Sequence, residues 1–192
     1  MISSATFHVI TTELVVGSFA MAGLCFLLHA LCRFEIIKNS NLIQVTDNVA
    51  HFALFFGILA TPFAIFSGIS ASPGSGFSTP ILVNKMFLSM TGLGLALSAL
   101  ITRWKFGMGI LQQRKTMLIQ TFSGMSASGM MLLTASAGGT FSRGESLLDL
   151  FSLPYESVLL MPIAISSLLL LSGIVSTLTA IMRMVKKSSV QH

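Results

Sequence analysis

The sequence predicts an all-α fold, a polytopic membrane helix bundle of five transmembrane helices with the N-terminus outside and the C-terminus cytoplasmic. Three observations lead there. Apolar residues make up 53% of the 192 positions and charged residues only 9%, too few charges to cover the surface of a water-soluble domain. Apolar runs recur at close to the roughly 20 residues that a helix needs to cross a bilayer core. Lys and Arg collect in alternate connections between those runs.

The first run is 9–32 and the second 48–71, entered through Asp47, a side chain suited to an N-cap. Pro73, Gly74 and Gly76 in SASPGSGFSTP break the chain before the third run, 81–102. The fourth run, 115–137, is expected to stop at Gly138-Gly139, and the fifth spans 156–182. Pro62 and Pro162 fall inside the second and fifth runs, where a proline bends a membrane helix without abolishing it. The whole chain, 1–192, reads as one transmembrane helical domain. Its longest connection has room for a short interfacial helix over 145–153, in which Leu147, Leu148, Leu150 and Phe151 alternate with Glu145 and Asp149.

Orientation follows from the charges. Arg33, Lys38, Arg103, Lys105, Arg114, Lys115, Arg183, Lys186 and Lys187 fall on one side of the five-run map, and only Lys85 and Arg143 on the other. That nine-to-two split marks the first side as cytoplasmic. The first run is no signal peptide by its pattern, since it lacks a basic leader, contains Glu13 and is too long. A multi-pass protein of the cell membrane is the expectation, with lipid and other integral subunits as partners and no nucleic acid.

Twelve of the 17 residues of SGMSASGMMLLTASAGG, 123–139, are Gly, Ala, Ser or Thr. Water does not drive helices together in lipid, so close backbone approach must, and small residues permit it. Gly124 and Ser128 in the fourth helix and Gly92 and Ala96 in the third are therefore candidate helix-packing positions.

Four features of the first 145 residues carry a likeness: His8 at the head of the first helix, FSGIS with Gly68, LITRW with Arg103, and SAGGTF with Gly138 and Gly139. In these the chain resembles a family of small prokaryotic four-helix integral membrane proteins, a domain of unknown function, here with an extra C-terminal helix. Members of that family typically follow the first His with Pro and carry a His early in the third helix. This chain has Val9 in the first place and Asn84 and Lys85 in the second. The resemblance implies a fold more than an activity.

Polar residues at membrane depth are costly and often functional. Here they are Glu13, His29, His51, Asn84, Lys85 and Gln120, with Cys25 and Cys32 as soft ligands. His29 precedes Arg33 by four residues and His51 follows Asp47 by four, which puts both at similar depth. On neighbouring antiparallel helices they would suit haem b. Cys25, His29 and Cys32 share one helix face and would suit a transition metal such as copper. The bland alternative for the cysteines is packing, as it is for the twelve Met. GxSxG, HExxH, P-loop, CxxC and CxxCH motifs are all missing. The expected function is a non-catalytic accessory or scaffold subunit of a larger membrane complex, of respiratory or membrane-monooxygenase type, with no cofactor of its own. The alternative is an electron carrier that binds haem b or a metal through His29 and His51.

Overall fold

The computed structural model describes residues 2–72, 74, 78–107, 110, 113–152 and scattered positions between 168 and 182. Among these the chain forms four long helices, α1 (Ser4–Arg33), α2 (Ser40–Ala71), α3 (Pro80–Phe106) and α4 (Arg114–Arg143), and a 3₁₀ turn at Leu147–Phe151. Three of them, α1, α2 and α3, are long and apolar enough to cross a membrane. At 1.5 Å per residue, helices of 30, 32, 27 and 30 residues are about 40 to 48 Å long. Each is longer than the roughly 30 Å thickness of a hydrocarbon layer.

That excess length corrects the expected boundaries, because capping chemistry rather than the edge of the apolar run decides where each helix starts and stops. Ser3 accepts from the Thr6 amide at 3.1 Å and starts α1 ahead of Val9. Asn39 accepts from the Asn41 and Leu42 amides at 3.1 and 3.4 Å and starts α2 a full two turns before Asn48. Asp47 is therefore inside the helix and is no cap. α3 continues past Thr102 to Phe106, and α4 runs through Gly138-Gly139 to end at Gly144, which takes the left-handed conformation at φ 73°. α2 passes through Pro62 without interruption. The stretch 145–153 supplies a single 3₁₀ turn closed by a capping box between Ser146 and Asp149. The expected fifth helix, 156–182, lies largely outside the described residues; those described within it, such as Leu171, Val175 and Leu178, are helical and exposed.

Consecutive helices are antiparallel. His8 near the start of α1 meets Ser67 near the end of α2, and His29 near the end of α1 meets Ile43 near the start of α2. Lys85 early in α3 lies against Gly138 late in α4, and Phe26 of α1 lies against Gly124 of α4. The ring of neighbours is thus α1–α2–α3–α4 and back to α1, with α2 and α3 touching least. This topology gathers Arg33, Lys38, Arg103, Lys105, Arg114 and Lys115 at one end, where the Arg114 guanidinium also lies 5.8 Å from the Phe34 ring. Lys85 and Arg143 belong to the other end.

One core cluster runs through the middle, built from Phe19, Ala22 and Phe26 of α1, Ala50 and Leu54 of α2, Ala96 and Ala99 of α3, and Ala127 and Met131 of α4. α4 is the least apolar of the four and is flanked by α1 and α3. Its small and polar residues face those helices, while Ile119 and Phe122 face outward. Thr61, Thr91, Ser128 and Thr134 each donate their hydroxyl to the carbonyl four residues back in their own helix, Ser123 donates across to the Leu95 carbonyl of α3, and the buried Thr121 hydroxyl has no partner among the described residues. The bundle is membrane-embedded and presents its apolar helix faces to lipid.

Candidate functional site

Near the basic end, α2, α3 and α4 converge on a buried polar node. α2 carries an apolar inner stripe of Ala50, Leu54 and Gly57, and its first turns extend that stripe with Thr46, Asp47 and His51. Asp47 and His51 are one helical turn apart, so their side chains share a face. Arg103, from the last turn of α3, reaches across and donates from Nε to Asp47 Oδ2 at 3.0 Å and Oδ1 at 3.3 Å, and from Nη2 to Oδ2 at 2.5 Å. Asp47 is almost fully buried and the Arg103 side chain is 18% exposed. The forked pairing of guanidinium and carboxylate neutralises both charges.

The node continues through His51. Its Nδ1–H donates to the Asp47 carbonyl at 2.8 Å and lies 3.1 Å from Asp47 Oδ1. Its Nε2 faces the Gln120 amide nitrogen of α4 at 2.9 Å, and that same nitrogen donates to the Ala99 carbonyl of α3 at 2.7 Å. A carbonyl accepts and cannot donate, so Ala99 fixes which end of the Gln120 amide points inward. Both amide protons are then committed, one to Ala99 and one to His51 Nε2. His51 must present a lone pair there and carry its proton on Nδ1. A chain of directed bonds therefore links α4 to α3 and α2, ending in the Asp47–Arg103 pair. The Phe26 ring of α1 closes the site edge-on, 5.2 Å from the imidazole centre.

His29 lies at the same end but serves a different contact. Its Nδ1 is 3.1 Å from the Ile43 carbonyl and 3.5 Å from the Thr46 hydroxyl, while its buried Nε2 has no hydrogen-bond partner among the described residues. A bis-His haem site needs one ring nitrogen from each histidine. Here both nitrogens of His51 are engaged, and His29 offers one. Cys25 and Cys32 are buried free thiols on the His29 face of α1. Among the described residues no three His, Cys, Asp or Glu side chains converge as a metal site.

The four candidate packing positions, Gly92, Ala96, Gly124 and Ser128, are all inside the bundle. A Cβ added to Gly124 would enter the Phe26 ring, and one added to Gly92 would lie 2.9 Å from Met131 Sδ and 3.3 Å from the Ala127 carbonyl. Ala96 is fully buried, and Ser128 packs against Gly23 of α1. Gly138 and Gly139 admit neighbours too: an added Cβ would lie 2.9 Å from Lys85 Nζ at the first and 2.8 Å from the Glu145 carbonyl at the second. The pair lies inside α4, which ends instead at Gly144. Lys85 and the returning chain dock on the pair.

Sequence reasoning missed the node as a unit. Gln120 and His51 were visible as separate polar residues, but Asp47 read as a cap and Arg103 as a topology charge. The signal available was the period: Asp47 and His51 continue the stripe of Ala50, Leu54 and Gly57 on α2, so they point inward whatever the helix boundary. Glu13, by contrast, is exposed on α1. Comparisons with family models, curated proteins and solved structures return no match.

Proposed function

We propose that the chain is a non-catalytic accessory subunit of a larger membrane assembly, multi-pass in the cell membrane with its N-terminus outside, and that it acts by helix packing. The observation that carries this reading is the closure of the interior. The Asp47–Arg103–His51–Gln120 node has its charges paired and its Gln120 and His51 protons committed, and the glycine contacts are filled by Phe26, Met131 and Lys85. A substrate or cofactor in the bundle would have to break those bonds, whereas the apolar outer faces of α1 and α2 remain available. The gathering of basic residues at one end supports the orientation. The likeness to small four-helix membrane proteins enters as a fold: His8 against Gly68, Arg103 on Asp47 and Gly138 under Lys85 are all interhelical contacts.

The alternative electron carrier would use His29 and His51, and its weakness is the occupied Nε2 of His51. One experiment separates the two. Mild-detergent extraction of native membranes followed by native electrophoresis and a visible spectrum should place this 20.5 kDa chain in a much larger, multi-subunit band with no Soret absorption attributable to it. A free low-mass band that carries a Soret peak would refute the proposal.

A further inference from the structure

On the side of α1 and α2 turned away from α4, a groove of about 370 Å³ runs between Glu13, Gly17 and Met21 on one edge and Val49, Phe52 and Phe56 on the other. We infer that this groove seats one transmembrane helix of another subunit, and that the helix carries a Lys or Arg at the depth of Glu13. The inference rests on the accessory-subunit reading and specifies which surface is used and by what chemistry.

Two independent features point to that occupant. The first is charge. Glu13 lies ten residues beyond the Ser3 cap, about 15 Å along a helix of about 45 Å. Centring a hydrocarbon layer of roughly 30 Å on that helix puts Glu13 inside it. Its neighbours agree, since Val9, Ile10, Leu14 and Met21 are exposed apolar residues above and below it. Glu13 is itself exposed and takes part in neither of the described ion pairs, which join Asp47 to His51 and Arg103. A carboxylate among lipid-facing side chains is a liability unless a partner supplies the opposite charge.

The second feature is shape. Gly17 stands one turn below Glu13 on the same face and has no side-chain neighbour within 4 Å, unlike Gly57, Gly92 and Gly124, which are filled from within the chain. A small residue on a lipid-facing ridge lets a foreign backbone approach closely. The Ser18 hydroxyl beside it is already donated to the Leu14 carbonyl at 2.6 Å, so Glu13 is the polar group left to direct the contact.

The chain's own cations do not match. Lys85 is turned onto Gly138, the other described Lys and Arg residues sit in the terminal turns of the helices or in the 34–39 connection, away from the depth of Glu13, and the apolar run 156–182 contains no Lys, Arg or His. Charge complementarity therefore selects a different protein over a second copy or the C-terminal run.

The test places a photoreactive amino acid at Met21 of the full-length chain in native membranes and identifies the adduct by mass spectrometry. The expected product is a membrane-spanning peptide with a Lys or Arg. Its yield should fall at least about tenfold in Glu13→Gln and in Gly17→Leu, with Cys25 and Cys32 still shielded from maleimide as proof of an intact bundle. Glu13→Lys should be rescued by the opposite exchange in the partner. Adducts with lipid alone, with a second copy, with residues 156–182 or with a helix lacking a basic residue would overturn the inference, as would an undiminished yield in both variants. In those cases a large native band still upholds the subunit reading. A wild-type chain that migrates alone removes the reading and the inference together.

Discussion

Replacing Arg103 with Met strips Asp47 of three close contacts, at 2.5, 3.0 and 3.3 Å, and leaves its carboxylate with His51 Nδ1 at 3.1 Å. Asp47 is only 2% exposed, so water cannot take Arg103's place without opening the bundle. Removing one partner of a buried ion pair costs about 3–5 kcal/mol. The 18% exposure of the Arg103 side chain places this case at the low end, about 3 kcal/mol, or roughly two decades in the folding equilibrium. Taking away both charges should be far milder. In Asp47→Leu with Arg103→Met no charge is stranded, and His51 keeps its 2.8 Å bond to the carbonyl of residue 47, which is backbone. The double-mutant cycle should therefore show a coupling of about 2 kcal/mol or more. Unfolding titrations from mild detergent into SDS, followed by circular dichroism and repeated for all four proteins, measure it. An Arg103→Met variant within about 0.5 kcal/mol of wild type, or a double variant as unstable as the sum of the singles, would refute the reading of the node as a charge clamp.

Gly124→Leu drives a side chain into the Phe26 ring and should cost at least about 1–3 kcal/mol in the same titration, while Phe122→Leu on the exposed face should stay within about 0.5 kcal/mol. Gln120→Leu strands His51 Nε2 and removes the second donor from the Ala99 carbonyl, and should cost about 1–3 kcal/mol; a neutral result would mean that the amide bridges nothing. Cys25 and Cys32, buried at 7% and 5% exposure, should react with maleimide in the folded protein at least about a hundredfold more slowly than in SDS, and prompt labelling without denaturant would contradict their placement.

Apolarity and its interruptions are properties of consecutive residues, so the all-α membrane character could be read directly from the chain. The helix ends could not, because Ser3 and Asn39 cap α1 and α2 well outside the apolar runs. The apolar run marks where lipid is, whereas the helix lasts until a side chain or a left-handed residue satisfies its terminal groups. For the same reason Asp47 was misplaced: a carboxylate at the start of an apolar run fits a cap, and only the longer helix reveals it as an interior residue. The node lay beyond local reasoning altogether. Residues 47, 51, 103 and 120 come from three helices, and the pairing of Arg103 with Asp47 depends on how α3 is set against α2. Gly124 and Gly92 were recognisable as contact positions by type, but that Phe26 and Met131 fill them is decided by register.

Register is also what the node and the glycines together supply. Between lipid-bathed helices a purely apolar seam can slip by a turn at little cost, because one Leu or Ala contact resembles the next. The glycine contacts resist slippage in one way, since the Phe26 ring fits over Gly124 but not over the side chains around it. The node resists it in another. Ala99 sets the Gln120 amide, the amide sets the His51 tautomer, and Asp47 holds Arg103, so moving α4 or α3 by one turn would strand several buried groups at once. Steric and polar locks meet at the same Phe26 ring, which touches both Gly124 and His51. Outside that interior lies the lipid-facing surface. There Glu13 is the feature that lipid alone does not explain.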